Sequence, residues 1–418
     1  MKTVGIIAEY NPFHNGHLYQ IEKAKELSQA DYVIVIMSGN FVQRGTPALL
    51  DKYARCESAL FCGADLVIEL PVCFACGSAE YFAKGAVSLL HELHADAICF
   101  GSECGDIKLL NIIADILTTE PPAFKDALTG ALAKGVSFPV ARSQALEHYL
   151  SSDNRLSAQQ IQVLSTVLQS PNNILGIEYF KALRFINTSM ETYTIKRQGS
   201  HYSAPLLPSH GFSSATAIRN LVYDTASTNG LAGYMPQVSL SILERELSLN
   251  HMVSEDSLSG LLLYKLYSLQ EEGYTEYMDI SQALSDKIAG HLEKYISFRS
   301  YCELLKSKDI TYTRLSRSLL HILLDIKKDD LALYAENGYA QYIRILGFKE
   351  KSAPLLGVLK NSRIPVISKL ADTEKTLTPV AKKQLYQDIF AAHVYEGLIA
   401  QKTGSPIRNE YRRKIVIL

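Results

Sequence analysis

The strongest constraint on the fold is an alternation of two periods in the first hundred residues. Short apolar, β-branched runs stand at Thr3 to Ala8, Tyr32 to Met37, Leu66 to Leu70 and Ala97 to Phe100. Helix-like stretches fill the gaps, roughly His17 to Leu27, Asp51 to Cys62 and Ser78 to Leu93. Strands that are apolar on both sides need cover on both faces, and helical connections supply it, so the pattern predicts an α/β domain built on a parallel sheet. Each connection is expected to be a right-handed crossover. Ligands in such sheets bind beyond the carboxyl ends of the strands, where the strand order reverses. The positions to inspect are those just after Ala8, Met37, Leu70 and Phe100, and after Lys196, the end of a further strand expected at Glu191 to Lys196.

Past Gly101 the spacing turns helical, over Ile107 to Leu117, Ala123 to Ala133 and Pro139 to Leu150. A Gly-, Ser- and Pro-rich loop follows Lys196, and then a helix from Ser214 to about Tyr223. From about Ala226 the chain carries apolar stripes at helical spacing, such as Leu258, Leu261, Leu262 and Leu266. With 418 residues the chain exceeds one ordinary core. The expectation is an α/β domain over 1–225 and a mainly helical one over 226–418. The longest apolar runs are far too short for a membrane helix and no signal-peptide pattern opens the chain, so a cytoplasmic location is expected. The seven cysteines then read as reduced thiols, and Cys73 and Cys76, a lone C-x-x-C, as buried core rather than a metal or redox pair.

The chemistry is concentrated at Glu9-Tyr10-Asn11-Pro12-Phe13-His14-Asn15-Gly16-His17, between the first strand and the first helix. A helix N-terminus offers unpaired N–H groups and a positive dipole end, both of which attract phosphate. Gly16 allows close approach of the backbone. Two histidines three residues apart can both face that phosphate and stabilise charge developing on it. A turn with two solvated histidines is the bland alternative, and the strand–helix junction weighs against it. A second motif, Ser214-Ala215-Thr216-Ala217-Ile218-Arg219, opens a later helix, where Ser214 and Thr216 can cap it or contact phosphate and Arg219 can reach the same ligand.

Together, N-P-F-H-N-G-H and S-A-T-A-I-R resemble the nucleotidyltransferase superfamily with its H-x-G-H motif, which implies a Rossmann-like nucleotidyltransferase domain. Longer strings narrow the resemblance: Gly5 to His17, Met37 to Gly45 (M-S-G-N-F-V-Q-R-G), Gly63 to Pro71 (G-A-D-L-V-I-E-L-P), Phe100 to Glu103, Pro171 to Tyr179 and Ile195 to Gly199. These are similar to the bacterial tRNA(Met) cytidine acetate ligase family. The resemblance implies activation of acetate by ATP as acetyl-adenylate, with release of pyrophosphate, and acetylation of the wobble cytidine of elongator tRNA(Met) to N4-acetylcytidine. It implies His14, His17, Ser214 and Thr216 as catalytic residues. It further implies ATP contacts from Ile7, Ala8, Glu9, Tyr10, Asn11, Pro12, Phe13, His14, Asn15, Gly16, His17, Leu18, Tyr19 and Gln20, then Gly101, Asn172 and Arg197, to which the place of Arg219 in the second motif adds that residue. Mg²⁺ can help to neutralise pyrophosphate, although no ligand set stands out.

A cytidine amine must reach the adenylate, so the base is expected to leave its loop stack and enter the crevice. A net charge of −1 offers no global field for nucleic acid, which leaves local basic faces. Candidates are Lys306, Lys308, Arg314 and Arg317, then Lys349, and the tail with Arg412, Arg413 and Lys414, with Tyr312 and Phe348 as rings to stack on bases. Ser38, Asn40, Arg44, Lys52 and Arg55 read either as the acetate or RNA side of the crevice or as a solvated face. Two rival readings stand: an adenylyltransferase acting on a small phosphate-bearing metabolite, and a non-catalytic ATP- and RNA-binding protein.

Overall fold

The structure is a computed structural model and describes residues 1–151, 155–197 and 212–418. The first half runs β1 (Thr3–Ala8), α1 (Asn15–Ser28), β2 (Tyr32–Ser38), the small hairpin β3 (Phe41–Val42) and β4 (Thr46–Pro47), α2 (Lys52–Phe61), β5 (Leu66–Leu70), α3 (Val72–Ala75), α4 (Ala79–Glu92) and β6 (Ala97–Ser102). Helices α5 (Ile107–Thr119), α6 (Pro122–Leu132), α7 (Phe138–Ser151), α8 (Ala158–Gln162), α9 (Leu164–Gln169) and α10 (Pro171–Ile186) precede β7 (Glu191–Lys196). Then follow α11 (Ala215–Thr225), α12 (Gln237–Ser248), α13 (Ser259–Ser268), α14 (Gln282–Ala289), α15 (Phe298–Leu305), α16 (Tyr312–Leu323) and α17 (Lys328–Glu336). The chain closes with β8 (Ile343–Phe348), α18 (Ala353–Val358), β9 (Val366–Ile367), α19 (Pro379–Thr403) and β10 (Val416–Ile417). Among the described residues no helix is long and apolar enough to cross a membrane.

The expected α/β architecture is present, and the strands β1, β5 and β7 have the expected ends. The sheet order is β10-β8-β5-β2-β1-β6-β7, with β9 also on β8. From β1 the chain moves outward through β2 and β5, then crosses back to β6 and β7, so the order reverses between β1 and β6. Alternate residues of one strand serve two cores: Ile34 and Ile36 belong to the core that includes α4, whereas Val33, Val35 and Met37 belong to the core that includes α1 and α2. That is the physical content of the uninterrupted apolar runs.

Two features depart from the sequence expectation. The sheet is mixed, because β8 runs antiparallel to β5, pairing Leu66 with Phe348 and Glu69 with Arg344. The segment 226–418 is mainly helical but also supplies β8, β9 and β10 to the sheet of the first half, so the two halves share one sheet. Buried charges reinforce that join. Lys52, at the start of α2, meets Glu69 of β5 and Glu410 of the tail, each at 2.7 Å, and Arg344 of β8 pairs with the same two carboxylates.

Candidate active site at the reversal of strand order

Backbone polarity fixes the histidine pair. His14 is the N-cap of α1: its Nδ1 accepts the Gly16 N–H at 3.1 Å, while Nδ1 of His17 accepts the His14 N–H at 3.2 Å. Two orphan donors of the helix end are satisfied reciprocally, a capping box made from imidazoles. The rings stack at 3.7 Å between centroids. Tyr10 stands edge-on beneath His17 at 4.9 Å, and Phe13 packs against it at 5.5 Å.

Protonation follows from this geometry. A neutral ring whose Nδ1 accepts must carry its proton on Nε2, so each histidine offers one Nε2–H donor. Burial and the nearby cations Arg197 and Arg219 push His14 down to about 3. Burial, His14 and Arg197 hold His17 well below the usual imidazole value. The environment therefore favours the neutral ring over imidazolium at both positions.

The second motif approaches from the far half of the site. Ser214 is the N-cap of α11 and its hydroxyl accepts the Ala217 N–H at 3.0 Å. It is buried and does not line the crevice, so it fixes the helix end, a correction to its reading as a phosphate contact. Thr216 does line the crevice, and its hydroxyl accepts from Arg219 at 3.2 Å. Arg219 also donates to the Asn11 carbonyl at 2.6 Å, which ties the two motifs together.

The crevice has two lobes that share His14, His17, Gln20, Gly101 and Arg197. The first has a polar rim of Glu9, Gln43, Asn172, Thr216 and Arg219 and an apolar end of Ile7, Phe82, Phe100, Leu175 and Tyr179. Gly16, Tyr19, Ile195, Lys196, Phe212 and Ser213 form the second. Gly16 is bare for a reason: a Cβ there would lie 2.9 Å from the His14 ring.

Within Ile7 to Gln20, the strand end and one helix face reach the crevice, and the rest do not. Phe13 is core, Leu18 packs against the same core, Pro12 lies off the lining, and Asn15 donates from Nδ2 to the Gly233 carbonyl at 3.0 Å. Asn11 accepts the Leu49 N–H at 2.8 Å. Asn172, expected to contact ATP, lines the crevice, and the N-terminus of its helix is held by a residue with no assigned role, Glu103. Its carboxylate accepts the backbone N–H of Asn172 and Asn173 at 3.3 and 2.9 Å and the Asn172 amide at 2.6 Å. Leu175 and Tyr179 were overlooked, although they lie three and seven residues after Asn172 on one helical face. Gln43, Phe82, Phe100 and Phe212 were also missed, having only apolar or amide side chains to signal them.

In the segment after β2, Ser38, Asn40, Lys52 and Arg55 are buried and line neither lobe, and only Gln43 of the hairpin reaches the crevice. Arg55 is 0% exposed and donates to the carbonyls of Glu9, Ser38, Gly39 and Leu50, while Asn40 accepts the Lys52 N–H at 2.8 Å. Ser38 is buried, and Arg44 is half-buried at the tip of the hairpin. Cys73 and Cys76 are buried, and burial raises both thiols. Among the described residues no group of three or more His, Cys, Asp or Glu is placed to hold a metal ion.

The basic candidates divide. Lys306, Lys308, Arg314, Arg412 and Lys414 are exposed, and Lys306 pairs loosely with Glu303. Arg317 is held by Asp279 at 3.0 Å and Arg413 by Asp51 at 2.8 Å. Lys349 hydrogen-bonds to the Asp65 carbonyl, before β5 begins, and so lies at the foot of the sheet, away from the crevice. Phe348 lies there too, and the Tyr312 hydroxyl is occupied by Glu255 at 3.0 Å. Gln198 and Gly199 lie outside the described residues.

Fold and site define a nucleotidyl transfer protein of the H-x-G-H kind, and the model of the HIGH nucleotidyl transferase family matches residues 1–410. Within that class the chain belongs to the tRNA(Met) cytidine acetate ligase family. It is 39% identical to the Acetivibrio thermocellus tRNA(Met) cytidine acetate ligase, with 100% of each chain covered. Identity to the Clostridium novyi protein of the same name is 43%, over 89% of this chain and 91% of that one. Two Thermotoga maritima TmcAL crystal structures, one apo and one bound with alpha-thio ATP, superpose with TM-scores of 0.92 and 0.90 at 33% identity over all of both chains.

Proposed function

We propose that this protein joins acetate to the wobble cytidine of elongator tRNA(Met) at the expense of ATP. An acetate oxygen attacks the α-phosphorus, the bond to the β-phosphate oxygen breaks, and pyrophosphate leaves with acetyl-adenylate formed. The cytidine amine then attacks the acetyl carbonyl, loses a proton, and expels AMP. The observation that carries this reading is the pair of stacked imidazoles at the strand-order reversal, His14 buried and His17 half-buried, each held as a neutral ring with an Nε2–H to donate. Such donors stabilise charge growing on the α-phosphate without first adding a cation to a crevice that already holds Arg197 and Arg219. Thr216, Arg219 and the N-terminus of α11 suit the departing pyrophosphate. Any Mg²⁺ would arrive on the triphosphate, and Glu9 is a carboxylate at the rim to meet it.

The RNA is proposed to lie across the 226–418 segment, with Lys306, Lys308 and Arg314 as its first contacts and Arg412 and Lys414 as its second. The α16 helix touches the hairpin whose Gln43 reaches the crevice: the Ser316 hydroxyl donates to the Gly45 carbonyl at 2.8 Å. A base delivered along α16 would therefore arrive at the rim. The test is formation of AMP and pyrophosphate with acetate and tRNA supplied singly and together. Dependence of AMP formation on both supports the reading. Pyrophosphate release with a phosphate-bearing metabolite alone would favour the plain adenylyltransferase, and ATP and tRNA binding without any turnover would favour the non-catalytic rival.

A further inference from the structure

We propose that the apolar end of the first lobe seats the methyl group of acetate and sets the size limit on the carboxylate that the enzyme activates. The inference rests on the acetate-activating reading above. The histidine pair stands between the two lobes, so the α-phosphate lies between them as well. The second lobe has the features of a base seat: Tyr19 and Phe212 pack on each other, tilted, with ring centroids 5.4 Å apart, and form an aromatic wall beside the bare Gly16 backbone and the Ile195 side chain. A third direction, toward Thr216 and Arg219, takes pyrophosphate. What remains is the space bounded by Ile7, Phe82, Phe100, Leu175 and Tyr179.

The chemistry of that space selects an orientation. Apart from the Tyr179 hydroxyl, its five side chains carry no polar atom, so a carboxylate cannot be buried there without losing its solvation. A short fatty acid therefore enters methyl first, with its oxygens turned to the histidines and the α-phosphorus. The depth is fixed. Phe100 packs on Tyr179 at 5.4 Å and on Phe180 at 6.0 Å, and α10 presses so close that a Cβ on Gly176 would fall 2.7 Å from the Phe100 ring. Asn172, Leu175 and Tyr179 share a face of α10, which grades that wall from polar rim to apolar depth.

The experiment compares acetate and propionate in tRNA-dependent AMP formation, with ATP affinity measured separately by calorimetry. One methylene in a rigid apolar pocket is worth about 10- to 200-fold in kcat/KM, so the unaltered enzyme should favour acetate by that order. Leu175→Ala should shrink the ratio by about tenfold or more through a gain on propionate, and Leu175→Phe should raise KM for acetate about tenfold, both with ATP affinity unchanged. Phe82→Leu, which keeps core volume better than truncation, should act like Leu175→Ala. Variants that slow both acids equally, leaving the ratio intact, would overturn the inference. So would a matching loss of ATP affinity, which would put adenine in this lobe. If the unaltered enzyme made no AMP from acetate, the underlying reading would fall and take the inference with it; an active enzyme with an unchanged ratio sinks the inference alone.

Discussion

At the scale of single residues, catalysis is assigned to neutral hydrogen-bond donors rather than cations. Removing either donor, by His14→Ala or His17→Ala, should lower kcat for AMP formation by about 10² to 10³, the usual effect of deleting one transition-state donor. A glutamine amide reaches about as far as Nε2, so His17→Gln should retain more activity than His17→Ala. The pH dependence follows from His14, whose pKa falls from the ordinary 6.5 to about 3 on folding. Between those values the unfolded chain binds a proton that the folded one does not. Stability should thus fall as the pH drops below about 6.5 toward 3 and should owe nothing to this group above that window. Activity should show no inflection near pH 6.5 that His14→Gln removes; finding one would mean that imidazolium takes part. This much of the site was legible because the histidines carry distinctive chemistry at a recognisable junction. Their tautomers were not, because these depend on which backbone N–H each Nδ1 meets. Phe82, Leu175 and Tyr179 were silent because an apolar side chain lining a crevice has the same sequence signature as one in the core.

At the scale of elements, helix ends do the positioning. Glu103 holds the N-terminus of α10 and turns the Asn172 amide, so Glu103→Ala should weaken ATP binding by about tenfold, roughly the worth of one oriented hydrogen bond. Because Glu103 acts through Asn172, KM for ATP should rise more than kcat falls, and the double variant with Asn172→Ala should add little. Ser214→Ala, which deletes the α11 cap, should cost about 1 kcal/mol of stability in chemical denaturation. The strands β1, β2, β5 and β6 and the helices α1, α2 and α4 were readable because each has a clean period, and α2 carries a cap as well, Asp51 accepting the Ala54 N–H at its start. The hairpin β3–β4 was not, since two-residue strands have no period. The β8 strand was hidden too: its identity comes from pairing with β5, whose residues lie far away in the chain, and only the fold brings Leu66 to Phe348.

At the scale of the whole molecule, the C-terminal tail completes the structure around the site as well as presenting charge. Glu410 is buried against Lys52, Arg344 and the Tyr53 hydroxyl. Glu410→Ala would leave those cations underpaired and should destabilise the fold by about 3–5 kcal/mol, whereas an exposed pair such as Lys306–Glu303 should be worth about 1 kcal/mol or less. Burial raises the Glu410 carboxyl, but Lys52 and Arg344 outweigh it and bring the group down to about 2. Its contribution should hold above the ordinary pKa near 4.5 and fade as the pH falls toward 2. Reversing the charge of Lys308 and Arg314 should weaken tRNA binding and flatten its salt dependence, leaving ATP affinity alone. The central claim is tested most directly by incubating the protein with ATP, isotopically labelled acetate and total tRNA, then separating the tRNAs. The account predicts label in elongator tRNA(Met), on its wobble cytidine, with one AMP formed per acetyl group transferred; label in no tRNA, or in all tRNAs alike, would contradict it.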